Sequence, residues 1–169
     1  FIGSFGTHGT RYGNFAVQNA DLILSVGSRL DSKSTGTPPS SFARGARIIM
    51  VDIDHTEIDK FQHMGLKVEG VCEDAKHFFM RTLPDVVATS YPEWYAQIDK
   101  WKEKYPIVKP EYENEKGVNP YVLIRELAEI CKEGDVIVSD TGCAVAWAAQ
   151  AFQFKKGQRF IHAWNQTPM

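Results

Sequence analysis

Cysteine is scarce in this chain. The three residues, Cys72, Cys131 and Cys143, form no CxxC pair, which argues against a disulfide scaffold or a zinc ribbon and fits a reducing compartment. No apolar run reaches the length of a membrane span. No stretch combines a charged start, an apolar centre and a small-residue cleavage site, so nothing points to secretion. Charge is nearly balanced at −2, and no basic field speaks for nucleic acid or a lipid surface. A complete GxGxxG after a strand is missing, so the usual dinucleotide fingerprint is absent. His, Cys and Asp are never closely spaced enough to read as a metal site.

What is present suits a globular α/β protein. Hydrophobic residues make up 43% of the 169 and charged residues 24%, enough to bury a core. The chain opens in a glycine-rich stretch, FIGSFGTHGT, and stops just past an apolar run. Both ends read as cut, and the expectation is a piece of a longer polypeptide.

Apolar runs alternate with helical patterns. DLILSVGS (residues 21 to 28) and ARIIMV (46 to 51) read as parallel strands buried on both faces. LKVEGV (66 to 71) reads as a third strand. A short helix is expected over 13 to 19 and a helical turn at HTEIDKF. The Ser/Thr/Gly/Pro-rich segment 32 to 45 reads as a long loop. Residues 73 to 83 read as an amphipathic helix with Ala75, Phe78, Phe79 and Leu83 on one face. Residues 92 to 104 read as another, with Trp94, Ile98 and Trp101 in a packing stripe. Residues 105 to 117 lack periodicity and suit a linker. Asn119-Pro120 then supplies an N-cap and an N1 proline for a helix over 121 to 131. Strands VIVSD (136 to 140) and RFIHA (159 to 163) flank a small-residue helix over 141 to 152. The expected fold is α/β with mainly parallel, Rossmann-like sheets.

Three segments suit a nucleotide-sized ligand. VDID (51 to 54) ends a strand in acid, where ribose hydroxyls bind in doubly wound sheets. GSRLD (27 to 31) offers Gly27 for close approach and Arg29 as a phosphate fork. GTHGT (6 to 10) offers backbone N–H groups with His8 beside them. Bland alternatives stand next to each. Asp52 and Asp54 cap the following turn as readily as they bind a ligand, Arg29 suits a surface pair with Asp31, and His8 suits a hydrogen-bonded loop. SDTG (139 to 142) opens a helix whose amides suit a phosphate, or is a turn capped by Asp140 or Thr141. Cys143 reads as a small packed residue rather than a nucleophile.

The order of these segments carries more. GTHGTRYGNFAVQNADLILSVGSRLD, then ARIIMVDIDHTEIDK, then VIVSDTGCAVAWAAQAFQFKKGQRFIHAWNQTPM, resembles the acetolactate synthase large subunits, within the thiamine-diphosphate-dependent decarboxylases and carboligases. The resemblance implies that residues 1–85 are the later part of a middle domain that binds FAD or ADP, and that residues 86–118 are a helix and interdomain linker. Residues 119–169 are then the start of a thiamine-diphosphate-binding domain. It implies FAD or ADP contacts at Thr7, His8, Gly9, Gly27, Ser28, Arg29, Asp52, Ile53 and Asp74. Thiamine diphosphate contacts are implied at Thr141, Gly142, Cys143, Ala144 and Met169, the last packing under the thiamine ring. The chain departs from the family at Cys143-Ala144 (usually Gln-His), at Ser32-Lys33 (usually Asp-Arg) and at residues 163 to 167 (usually glycine-rich).

The implied function is a part of a 2-keto acid carboligase or decarboxylase with thiamine diphosphate and Mg²⁺. Its partners would be a 2-keto acid and the remainder of its own chain, in a cytoplasmic homodimer or homotetramer. The family's catalytic glutamate and its Mg²⁺ motif have no counterpart here, so no catalytic residue and no metal ligand is expected in these residues, and they should be inert alone. The alternative is a non-catalytic α/β module that binds FAD or ADP.

Overall fold

The computed structural model describes residues 1–163. It contains two parallel sheets, each with its own helices. In the first unit α1 (Arg11–Gln18) leads into β1 (Leu22–Val26). A short α2 (Ser32–Thr35) precedes β2 (Arg47–Asp52). Next come α3 (His55–Asp59), β3 (Glu69–Cys72) and α4 (Ala75–Thr82). The strands are parallel in the order β1-β2-β3, with Leu24 opposite Ile49 and Val51 opposite Val71.

The sequential order explains where the core lies. Right-handed crossovers that always step in one direction deliver their connections to one face of the sheet. Ile48 and Met50 bury on that face with Leu30, Phe42, Ala43, Ile58, Phe61 and Leu66, and Ile23 packs against them. Gly70 sits where a side chain would meet Ile58: a Cβ there would lie 2.3 Å from Ile58 Cγ2. On the other face α4 packs against β2, and Val51 is buried while Leu22 and Leu24 remain exposed. The expectation that β1 is covered on both faces is therefore wrong; the described residues supply a cover for only part of that face.

Two other expectations change. Segment 32 to 45 is not all loop, because Asp31 accepts hydrogen bonds from the Ser34 amide (2.9 Å) and hydroxyl (3.0 Å) and so starts α2. On α4 only Phe78 is buried, and Phe79 and Leu83 are exposed. Helical periodicity marks a face without saying that a neighbour covers it.

Helix α5 (Pro92–Lys104) folds back on α1. Ile98 is buried, and Phe15 packs on Trp101 and Tyr105 with ring centroids 5.6 and 5.4 Å away. The segment after it makes a helical turn at Pro110–Asn114 and stacks Tyr112 on Tyr121.

The second unit has α6 (Pro120–Ile130), β4 (Val136–Ser139), α7 (Cys143–Ala151) and β5 (Arg159–His162). Asn119 caps α6 as expected, accepting from the Tyr121 amide at 2.9 Å. β4 and β5 are parallel. α6 packs on α7 around Ala128, Ala148 and Phe152. Lys155 closes the end of α6 by donating to the carbonyls of Glu129 (2.8 Å) and Cys131 (2.6 Å). None of the described helices is long and apolar enough to cross a membrane.

Candidate functional site

Loops at the carboxyl ends of the strands gather most of the candidate residues, as parallel sheets dictate. After β1, three of four successive residues take positive φ: Gly27 (60°), Arg29 (63°) and Leu30 (45°). This tight turn buries Leu30 in the core and sends Arg29 outward. The turn is pinned by a hydrogen bond between the Ser25 and Ser28 hydroxyls (2.7 Å) and by Gly27 N–H donating to the Val51 carbonyl (2.9 Å).

Arg29 does not pair with Asp31 as its main partner. Its Nε lies 2.8 Å from Glu57 Oε1, and Lys60 holds the other carboxylate oxygen of Glu57 at 2.5 Å. Lys60 also donates to the Arg29 carbonyl. The Lys60 ammonium first and the Arg29 guanidinium second hold the Glu57 carboxyl below the usual glutamate range. The phosphate fork is thus already engaged by an acid.

After β2, Asp52 accepts from the Asp54 amide at 3.0 Å, and Asp54 caps α3 through Thr56. The Thr56 hydroxyl and then its amide lower the Asp54 carboxyl. Ile53 between them is 72% exposed, an apolar side chain held at the strand ends by its polar neighbours. After β3, Asp74 caps α4 by accepting from Lys76 and His77.

The GTHGT loop is closed on itself. Gly6 N–H donates to Asn14 Oδ1 (2.7 Å), Thr7 N–H to the Lys33 carbonyl (2.8 Å), Gly9 N–H to the Gly6 carbonyl (3.0 Å) and Thr10 N–H to the Ser4 carbonyl (2.9 Å). Thr10 caps α1 through its hydroxyl. Gly9 is glycine for packing: a Cβ would lie 2.4 Å from Phe5 Cα. The expectation that this loop offers its amides to a ligand is corrected, because four of the five N–H groups already donate within the protein. What it presents instead is a wall. Thr7 and His8 line a cleft of about 380 Å³ with Asp31, Lys33, Ser34 and, from the second unit, Ala149 and His162. Gln150 on α7 donates to the His8 carbonyl at 3.1 Å and ties the two units together there. Ser34 and His162 were not singled out by the sequence, and Lys33 only as a departure from the family pattern. Only the position of His162 at the end of a predicted strand hinted at it.

At the start of α7 the backbone does what an anion site requires. Gly142 is the N-cap with φ 79°, and no side chain caps the helix. Asp140 bonds the Thr141 amide instead (2.7 Å), so the alternative of a turn capped by Asp140 or Thr141 does not hold. Thr141 and Ala144 are half-buried and Gly142 exposed. Cys143 is also exposed, not packed as expected. A helix end with uncapped amides and a positive macrodipole end suits a phosphate. Met169 lies outside the described residues, as do residues 164 to 167. Among the described residues no group of three His, Cys, Asp or Glu side chains is arranged to hold a metal ion.

Comparison with known proteins gives the family. Residues 1–80 match the family described as thiamine pyrophosphate enzyme, central domain. The chain as a whole is similar to acetolactate synthases. It is 31% identical over 162 residues to the acetolactate synthase large subunit of Cyanidium caldarium, covering 94% of this chain and 27% of that protein. It is 32% identical over 168 residues to the mitochondrial acetolactate synthase catalytic subunit of Saccharomyces cerevisiae, covering 92% and 24%. For chloroplastic acetolactate synthase 1 of Oryza sativa the identity is 29%, covering 92% and 24%. The chain therefore resembles an acetolactate synthase-like, thiamine pyrophosphate-dependent enzyme, and it spans about a quarter of the length of the curated relatives it matches. The similarity runs through both units, which does not favour a self-contained nucleotide-binding module.

Proposed function

We propose that these residues are part of a 2-keto acid carboligase or decarboxylase that uses thiamine diphosphate and Mg²⁺. The uncapped N-terminus of α7, at the carboxyl end of β4, carries this reading. The amides at Cys143 and Ala144 would hold the diphosphate by hydrogen bonds and by the helix field, with Thr141 and Gly142 shaping the approach. Gly142 has open space around it and a left-handed backbone, so an anion can come close without meeting a side chain. When bound, thiamine diphosphate supplies the electron sink for carbon–carbon bond cleavage and formation. The chain's own contribution is to fix and orient that cofactor.

The first unit is read as a site for FAD or ADP along the carboxyl ends of β1, β2 and β3. Exposed Ile53 gives an apolar face for a ring, and Asp52 gives acceptors for ribose hydroxyls. Gly27 and Ser28 give an open turn, and Thr7 and His8 form the wall toward α7. Arg29 reaches a phosphate only by sharing with Glu57, and Asp74 acts through the α4 cap. The Mg²⁺ ligands, the catalytic acid–base group and the 2-keto acid pocket would come from the rest of the parent chain and a second subunit, in a homodimer or homotetramer. The 169 residues alone are expected to turn over no keto acid. Unpaired cysteines suit a reducing compartment, which we take to be the cytoplasm.

Calorimetric titration of the folded protein with FAD, with ADP and with thiamine diphosphate plus Mg²⁺ tests the reading. Saturable FAD or ADP binding that is weakened by Gly27→Val supports the nucleotide site. Thiamine diphosphate binding weakened by Gly142→Val supports the α7 site. A folded protein that takes none of the three overturns both assignments.

A further inference from the structure

Where the two units meet, a second cleft of about 350 Å³ lies between α1, the end of α5, the connecting segment and α6. Its polar walls are Arg11 on α1, Lys104 and Tyr105 at the end of α5, Lys109 and Tyr112 in the connecting segment, and Tyr121 on α6. Among the described residues lining it, three are cations and none is an acid. The whole chain carries a net charge of −2, so this concentration of positive charge runs against the overall sign.

The cations pack against rings, and among the described residues only Lys109 has an ion pair as well. The Arg11 guanidinium lies 5.6 Å from the centre of the Tyr105 ring, and Lys104 Nζ lies 5.4 Å from the same centre. Lys109 Nζ lies 5.7 Å from the centre of Tyr112. Tyr112 in turn stacks on Tyr121, with centroids 6.1 Å apart and planes at 20°. A ring face attracts a cation but neutralises none of its charge and accepts no strong hydrogen bond. Among the described residues the carboxylate paired with any of the three is exposed Glu111, 3.6 Å from Lys109. Glu113 is bound to Arg125 instead, at 2.6 Å. Like charges gathered this way repel, and a multiply charged anion between them removes the repulsion. Burial, together with Tyr112 and Cys143, raises the Tyr121 phenol, so it remains a proton donor at neutral pH.

We infer that the cleft formed by Arg11, Lys104, Lys109 and their three tyrosines is a binding site for a small phosphate-bearing anion. The guanidinium fork suits phosphate oxygens and the two ammonium groups supply point charge. The anion would touch α1, the end of α5 and α6 at once, so its binding would clamp the two units together. This inference is independent of the thiamine diphosphate reading, whose phosphate contact is on α7.

The test is calorimetry at low ionic strength with inorganic diphosphate, inorganic phosphate and glycerol phosphate as probes. Saturable binding is expected, at least tenfold weaker in the double variant Arg11→Gln/Lys104→Gln and weaker again with Lys109→Gln added. Tyr112→Leu, which removes the ring under Lys109, should also weaken it. Glycerol phosphate binding as well as the inorganic ions identifies an organic phosphate ester as the kind of ligand, and inorganic ions alone identify free phosphate; either supports the site. Arg11 and Lys104 are exposed, so the variants should keep the wild-type circular dichroism. No binding to the folded protein overturns the inference. So does diphosphate binding of unchanged strength in the double variant, which would put the ion elsewhere, such as on α7.

Discussion

The two units use the same βαβ grammar with unequal means. The first packs Phe42, Phe61, Met50, Ile48 and Leu30 against one face of a three-stranded sheet. The second has two strands, and its core cluster is Ala128, Ala148 and one large ring, Phe152, with Val145 and Ala151 also buried on α7. Small residues let α6 and α7 approach closely but bury little area, and burial is what stabilises a fold against chain entropy. β4 is correspondingly bare, with Val138 73% exposed. A sheet of two strands is marginal by itself, so the second unit depends more on its neighbours, through the Gln150–His8 bond and the Tyr112–Tyr121 stack. A fold can thus place the uncapped helix start that we propose as a cofactor site on its more thinly packed half, provided the other half is well packed.

Core truncation gives the largest contrast. Phe61→Ala, at a position 1% exposed, should cost about 3–5 kcal/mol. Phe152→Ala, at 7% exposed among alanines, should cost less and should loosen α7 while leaving the first unit folded. Urea unfolding followed by circular dichroism and by amide exchange reads both. Equal costs with one shared transition would break the distinction between the units.

Helix caps sharpen it at a smaller scale. Thr10 and Asn119 both cap a helix, and loss of such a cap costs about 1 kcal/mol. Thr10 is only 4% exposed and its hydroxyl also reaches the Ser4 carbonyl. Thr10→Ala should therefore cost more than Asn119→Ala, and thermal unfolding midpoints decide the order.

The smallest effect is acid sensitivity, which should belong to the first unit. Glu57 is held below its ordinary range by Lys60 and Arg29. A depressed carboxyl contributes stability that is present above its unfolded value and is lost as pH falls through the folded one. Stability should thus decline on acidification below the ordinary glutamate range, and Glu57→Gln should flatten that decline while lowering stability slightly at neutral pH. Denaturant midpoints measured from neutral pH down to pH 3 check the slope; an unchanged slope would remove Glu57 from the account.

Much of the fold was legible from local pattern. Each apolar run from 21 to 28, 46 to 51 and 136 to 140 became a strand, because short β-branched stretches bounded by Gly, Asp and Ser have few other uses. Asn119-Pro120 announced α6 because a cap and a proline act within one turn. Less was legible at the site. The third strand begins at Glu69 and not at Leu66, since pairing with β2 fixes its start. Arg29 meets Glu57, 28 positions on, and no local rule names that partner. Gly9 reads as a ligand-facing glycine in sequence, and the structure spends it on contact with Phe5.

By itself the sequence determined the alternation of strands and helices, the parallel sheets, the Asn119 and Asp54 caps and the likeness to acetolactate synthases, because each rests on neighbouring residues or on the order of motifs along the chain. Only the tertiary structure decided which faces are covered, which amides of the GTHGT loop are already used, that α7 starts without a side-chain cap, and that Arg11, Lys104 and Lys109 converge. Those outcomes depend on residues far apart in the chain arriving within a few ångströms of each other, and the strengths of packing, hydrogen bonding and charge interaction are set by that distance, not by separation in sequence.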